Sequence, residues 1–79
     1  MSWQDKMSKE DREYLVSIGV INDKSPKPLG YKLVWRFGGK DELLSPQKMP
    51  YSHCVTIKKR KAKEPQYRAG RFIILPIFE

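Results

Sequence analysis

A run of basic residues between two apolar segments is the feature that most restricts the fold of this chain. Residues 51–57 alternate between the two faces of an extended segment, and residues 67–74 return to an apolar pattern. Five cations lie within the six residues 58–63. The pattern predicts a β-hairpin over about residues 51–75, with a strongly positive tip.

The positive charge of the chain is concentrated in the same region. The protein has 79 residues and a formal net charge of +7. Residues 1–44 hold eight basic and seven acidic side chains, whereas residues 45–79 hold eight basic and two acidic ones. A local excess of this kind favours a binding face for an anionic partner over a general contribution to solubility.

Length and cysteine content limit the class of protein. We expect residues 1–79 to form one small domain. Cys54 and His53 are the only cysteine and the only histidine, so we predict no disulfide, no metal site and no cofactor. The chain has a single thiol and no apolar signal peptide at its N-terminus. Both features favour a reducing compartment, which is the cytoplasm, or the nucleus if the host has one. The longest apolar run, residues 72–78, is too short to span a membrane.

One helix is predicted near the N-terminus. Ser8 is a suitable N-cap residue, and Asp11 follows it at the spacing of a capping box. Gly19 suits the position just after a helix, where Val20 can pack back on Leu15. We therefore predict a helix over about residues 9–18, which must pack on the remainder of the chain because it is too short to be stable alone.

The strands complete an α+β fold. Residues 31–37 alternate as a half-buried strand, Gly38-Gly39 predicts a turn, and residues 42–44 predict a short edge strand. Pro76 favours a sheet edge or a strand end. The predicted fold is one short N-terminal helix packed on a twisted antiparallel sheet of three or four strands. A small barrel of the SH3 or OB type is the alternative, because about four short strands also suit it.

The candidate binding residues lie on the predicted hairpin and on the outer face of the strand over residues 31–37. Tyr67 is the best aromatic residue for stacking on an unpaired base, because it lies beside a cation at the mouth of the hairpin. Trp35 and Phe72 are assigned to the core. The alternative role of the cations is to keep the hairpin from pairing with another chain. The full set is Lys58, Lys59, Arg60, Lys61, Lys63, Tyr67, Arg68, Arg71, Lys32 and Arg36.

The sequence favours a binding protein over an enzyme. Adjacent residues of a strand point to opposite faces, so His53 and Cys54 would not form a nucleophile and base pair. We predict a non-catalytic module that binds DNA or RNA through phosphate contacts of the hairpin. The alternative is a small protein-interaction or inhibitory module, of the type found in phages, whose hairpin binds an acidic protein surface. The apolar tail at Ile77 and Phe78 could also form a homodimer.

Overall fold

Residues 3–45 and 47–78, which the computed structural model describes, form two α-helices and three β-strands. The strands form one antiparallel sheet in the order β2-β1-β3, so β2 and β3 lie at its edges. The predicted α+β class is confirmed, with a sheet rather than a barrel. The elements are α1 (Lys9–Ser17), β1 (Gly30–Phe37), β2 (Lys40–Leu43), α2 (Tyr51–Lys61) and β3 (Arg71–Ile77), with short 3-10 helices at Trp3–Lys6 and Pro65–Tyr67.

Both ends of α1 are formed by the residues that the sequence indicated. The Asp11 backbone N–H donates to Ser8 Oγ at 3.1 Å, which caps the N-terminus. At the other end the Val20 N–H donates to the Leu15 carbonyl at 2.9 Å. Gly19 allows this closure because it adopts a φ of 80°, in the left-handed region that favours glycine.

The β1–β2 hairpin also follows the prediction. Phe37 pairs with Lys40, and the two glycines between them have φ values of 59° and 79°. Positive φ at both central residues is the requirement of the tight turn whose twist matches paired strands. After β2 the chain stays beside β1, since the buried Ser45 Oγ accepts a hydrogen bond from the Leu33 N–H at 2.9 Å.

The core lies on both faces of the sheet, because successive residues of β3 point to opposite faces and both are buried. Leu33 lies opposite Ile74, and these two side chains pack with Cys54 of α2. Ile73, which points to the other face, packs with Leu15 of α1 and with neighbouring apolar residues. α2 therefore packs on the Leu33 face of the sheet and α1 on the Ile73 face, and the two helices also contact each other, since Tyr51 Oη of α2 donates to Asp11 Oδ2 of α1 at 2.6 Å. Pro76 lies near the end of edge strand β3, as predicted.

The predicted β-hairpin over residues 51–75 is wrong. Residues 51–61 form α2, the following turn contains the 3-10 helix, and β3 begins only at Arg71 and pairs with β1. The physical reason is the burial of Cys54, which is fully enclosed against Leu33 and Ile74 when this segment is helical. Packing of this kind overrides the local preference of Val55, Thr56 and Ile57 for a strand.

Neither described helix has the length and apolar character needed to cross a bilayer.

Candidate nucleic-acid interface

The basic run occupies the last turn of α2 instead of a hairpin tip. Lys58, Lys59, Arg60 and Lys61 are four consecutive residues of this turn. Cations are favourable there because the C-terminal end of a helix carries a partial negative charge. Four consecutive helical residues point around the whole helix axis, so they cannot form one stripe. Lys59 and Arg60 are exposed, whereas Lys58 and Lys61 are half-buried.

Lys58 and Lys61 make contacts inside the domain. Lys58 Nζ lies 4.0 Å from Asp11 Oδ1 and so links α2 to α1. Lys61 Nζ lies 3.6 Å from Glu64 Oε2 and 5.9 Å from the centre of the Tyr67 ring. These two lysines therefore contribute to the packing of α2 as well as to the charge of its last turn.

Arg36 and Arg71 lie opposite each other on the face of the sheet that packs on α1. Arg36 donates to both carboxylate oxygens of Asp41, at 2.7 and 3.0 Å, and to Tyr14 Oη at 3.1 Å. The guanidinium of Arg71 lies 3.9 Å from the centre of the Tyr14 ring and 3.8 Å from Glu10 Oε1. The Arg36 guanidinium lowers the pKa of the Asp41 carboxyl. These arginines are engaged in internal pairs.

Lys32 shares the α1 face of β1 with Arg36, since the two residues are four apart on the strand. It lies opposite Leu75 of β3. Lys32, Arg36 and Arg71 therefore point to the opposite face of the sheet from the one that packs on α2, so they do not form the continuous basic stripe that was predicted for the hairpin.

Four of the predicted cations remain fully available. Lys59, Arg60, Lys63 and Arg68 are exposed and form no ion pair with any residue in 3–45 or 47–78. All four belong to the last turn of α2 and the connection to β3. We call these four residues the basic cluster.

The structure does not support Tyr67 as a stacking residue for a base. Its side chain is buried, with 8% of the residue exposed. Its ring packs edge-to-face on Trp35 at 4.9 Å and lies 5.7 Å from the ring of Phe72. The reason is that the 3-10 helix folds Tyr67 onto the sheet. An extended strand would instead have left this residue at the mouth of the predicted hairpin.

An aromatic pair with one exposed ring lies against the connection to β3, next to Arg68. Phe37 is 52% exposed, and its ring is nearly parallel to that of Trp35, with 5.5 Å between the ring centres. Trp35 Nε1 donates to the Ala69 carbonyl at 2.9 Å, which holds the connection to β3 against the pair. Gly70 makes this approach possible, because it has a φ of 86° and a Cβ there would lie 2.7 Å from Trp35 Nε1.

Phe37 was missing from the predicted site residues. The signal for it is its position at the end of β1, directly before the Gly-Gly turn, where the sheet ends and no helix covers the ring. Together with Trp35 and the basic cluster it forms a surface with exposed positive charge and an exposed aromatic ring. We call this the aromatic–basic surface.

His53 and Cys54 point in different directions from α2. His53 is exposed and Cys54 is fully buried. Burial raises the pKa of the Cys54 thiol to about 11, so this thiol is a poor nucleophile at neutral pH. In the part of the chain that the structure describes, no three histidine, cysteine, aspartate or glutamate side chains are grouped for a metal ion.

The buried thiol gives a prediction for stability at alkaline pH. A free thiol ionises near pH 9, whereas the Cys54 pKa in the folded protein is about 11. Between these values the unfolded chain binds fewer protons than the folded one, so the free energy of unfolding falls as pH rises. Urea unfolding of the wild type and of Cys54→Ala from pH 8 to 11 measures this. We expect the advantage of the wild type to shrink above about pH 9; a constant difference between the two would contradict the assignment.

No protein-family model matches the chain, and neither a curated protein nor a solved structure shows significant similarity to it.

Proposed function

We propose that this protein is a non-catalytic nucleic-acid-binding module. In this proposal the basic cluster contacts phosphates, and Phe37 stacks on an unpaired base. The observation that carries the proposal is the exposed ring of Phe37, which stacks on Trp35, together with the hydrogen bond that holds Trp35 to Ala69, the residue after the exposed cation Arg68.

The electrostatic part of the proposal follows from the exposure of the four cations of the basic cluster and from their lack of ion pairs among the described residues. Like charges held on one short segment repel each other, and an anion that binds there relieves the repulsion. Each phosphate that is neutralised releases counterions, so four contacts to a single strand give a slope of log K against log salt of about −3. Binding by this surface should therefore weaken steeply with salt.

The aromatic part favours single strands over duplexes. A base can stack on Phe37 only when it is unpaired, and such a contact contributes about 1–3 kcal/mol. The basic cluster alone would serve either form of nucleic acid. We therefore expect single-stranded DNA or RNA to bind more tightly than a duplex of the same sequence.

Phe37→Ala tests the stacking contact. We expect a loss of about 5- to 150-fold in affinity for a single strand, and a smaller loss for a duplex. Fluorescence anisotropy with labelled oligonucleotides across a salt series measures both. Ile18→Ala is the matched control, because Ile18 is an exposed apolar residue at the end of α1, where the proposal places no nucleic acid. Equal affinities of the two variants for the single strand would contradict stacking on Phe37.

A protein-interaction or inhibitory module is the second candidate. It is favoured by the exposed apolar side chain of Phe37, since an apolar contact near cations also suits an acidic protein. Absence of binding to any nucleic acid at low salt, combined with co-purification of a protein that Lys59→Glu/Arg60→Glu no longer captures, would favour this candidate.

The compartment and the oligomeric state belong to the same proposal. The single cysteine supports a reducing compartment, either the cytoplasm or the nucleus. The homodimer through the apolar tail stays a prediction. In the structure Phe78 contacts Trp3 edge-to-face, with 6.1 Å between the ring centres, so part of the tail packs within its own chain.

A further inference from the structure

A second candidate site lies where α2 begins, at the opposite end of this helix from the basic cluster. A cavity of about 590 Å³ lies here between the start of α2, the start of β1 and the N-terminal 3-10 helix. Its size falls in the range of pockets that hold small molecules. Its lining includes the rings of Trp3, Tyr31 and Tyr51 and the side chains of Lys6, Lys27 and Lys48.

The charge of this cavity has one sign. Lys6, Lys27 and Lys48 line it, and no acidic residue within 3–45 or 47–78 does. None of these three lysines forms an ion pair with a residue that the structure describes. Three such cations in the lining of a mainly apolar cavity favour a ligand that carries negative charge beside an apolar group.

The remaining walls are mainly apolar and include three aromatic rings. Tyr31 and Tyr51 pack edge-to-face at 5.4 Å, and Trp3 lines the same cavity. Walls of this type favour a planar aromatic group, because ring contacts add to the apolar area that is buried.

Hydrogen bonds hold two of these rings in place. Tyr51 Oη donates to Asp11 Oδ2 at 2.6 Å and accepts from the Ser8 N–H at 3.0 Å. Trp3 Nε1 donates to the Ser25 carbonyl at 3.1 Å. The cavity walls are thus fixed before any ligand binds, which lowers the entropic cost of binding.

Gly30 brings one of the lysines to the cavity. A Cβ on Gly30 would lie 2.1 Å from Cγ of Lys48. The stem of Lys48 therefore lies directly on the backbone of β1, at a position where a larger residue would displace it. This contact places the aliphatic stem of Lys48 at the cavity, while the residue as a whole is exposed.

We propose that this cavity binds a nucleotide, with the base against the aromatic wall and the phosphates at the three lysines. The inference goes beyond the proposed function, because the site is separate from the aromatic–basic surface. The 11 residues of α2 lie between them, a length of about 16 Å. The ligand is a small molecule here, and its binding does not require a nucleic-acid strand.

The two tryptophans provide separate reporters for the two sites. Trp3 lines the cavity and Trp35 belongs to the aromatic–basic surface, and each indole N–H has its own hydrogen bond. A titration with ADP followed by ¹H–¹⁵N NMR should shift the Trp3 indole signal and the amides of Gly30 and Ser52 in a saturable manner. Adenosine and pyrophosphate, each of which has only part of the ligand, should bind at least about tenfold more weakly.

Two charge-reversal variants separate this inference from the proposed function. Lys27→Glu/Lys48→Glu, at exposed residues, should weaken ADP binding by about tenfold or more, whereas Lys59→Glu/Arg60→Glu should leave it unchanged. Lys59→Glu/Arg60→Glu should instead lose oligonucleotide binding. A failure of the nucleotide site can therefore be told apart from a failure of the nucleic-acid surface. The inference is overturned if ADP causes no saturable shift, if it shifts Trp35 and not Trp3, or if pyrophosphate binds as tightly as ADP, which would leave an anion site without base recognition.

Discussion

Lys59→Glu/Arg60→Glu is expected to weaken binding to a single-stranded oligonucleotide by more than tenfold and to halve its salt dependence. Both side chains are exposed and without ion pairs among the described residues. Loss of two of four phosphate contacts should change the slope of log K against log salt from about −3 to about −1.5. The two new carboxylates also repel the phosphates. Anisotropy titrations from low to moderate salt measure both effects.

The matched control is Lys9→Glu/Lys24→Glu, which changes the net charge of the protein by the same four units at exposed lysines elsewhere. We expect only a small loss of affinity, because distant charges are screened by salt. Glutamates in the last turn of α2 also oppose the helix dipole, at a cost of about 0.3–1 kcal/mol each. Lys59→Gln/Arg60→Gln avoids this cost and should retain the fold. Equal losses in the two Glu variants would show that net charge, and not the basic cluster, determines binding.

Leu33→Ala is expected to destabilise the domain more than any surface change. Leu33 has 0% of its surface exposed and packs between Cys54 and Ile74. Removal of a buried leucine side chain costs about 2–5 kcal/mol, since it leaves a cavity in addition to the lost apolar burial. A domain of this length has a total stability of about 4–12 kcal/mol. Urea unfolding followed by circular dichroism should show a large decrease in the midpoint, or an unfolded protein.

Leu43→Ala provides the same chemical change on the neighbouring strand. Leu43 is 53% exposed and pairs with Val34 across β1 and β2. We expect a loss of less than about 0.5 kcal/mol, as for most surface substitutions. If Leu33→Ala were as mild as Leu43→Ala, the core at the interface of α2 and the sheet would be assigned incorrectly.

The features that could be predicted from the sequence are those that local chemistry determines. Ser8 and Gly19 set the ends of α1 because each satisfies backbone groups of the helix within a few residues. The two glycines after Phe37 set the β1–β2 turn for a similar reason, since only residues that accept positive φ close it readily.

The segment over residues 51–61 could not be assigned from its pattern. It contains three consecutive residues with high strand preference, and the apolar positions fit an alternation. Two signals for a helix were present: Pro50 before the first turn, and the cations in the last turn, where they complement the helix dipole. The choice between strand and helix for this segment depends on a contact with residues far away in sequence, namely the burial of Cys54 against β1 and β3.

The candidate site could be predicted in part. The position of the positive charge followed from the sequence, but its division into paired and unpaired cations did not. That division depends on the acids each cation reaches, such as Asp11 for Lys58 and Asp41 for Arg36, and on α2 being helical. The sequence predicted Tyr67 as the exposed ring, whereas the structure exposes Phe37. The reason is again a tertiary contact, because the connection before β3 folds back on Trp35 and buries Tyr67 against it.

The measurement that tests the central proposal most directly is an NMR titration of the ¹⁵N-labelled protein with a short single-stranded oligonucleotide at low salt. We expect the shifted amides to cluster at residues 59–63, 68–70 and 37–39, together with the Trp35 indole, and the shifts to disappear as salt is raised. Binding whose shifts map to the exposed end of α1 or to the α1 face of the sheet, or no binding at low salt, would contradict the account.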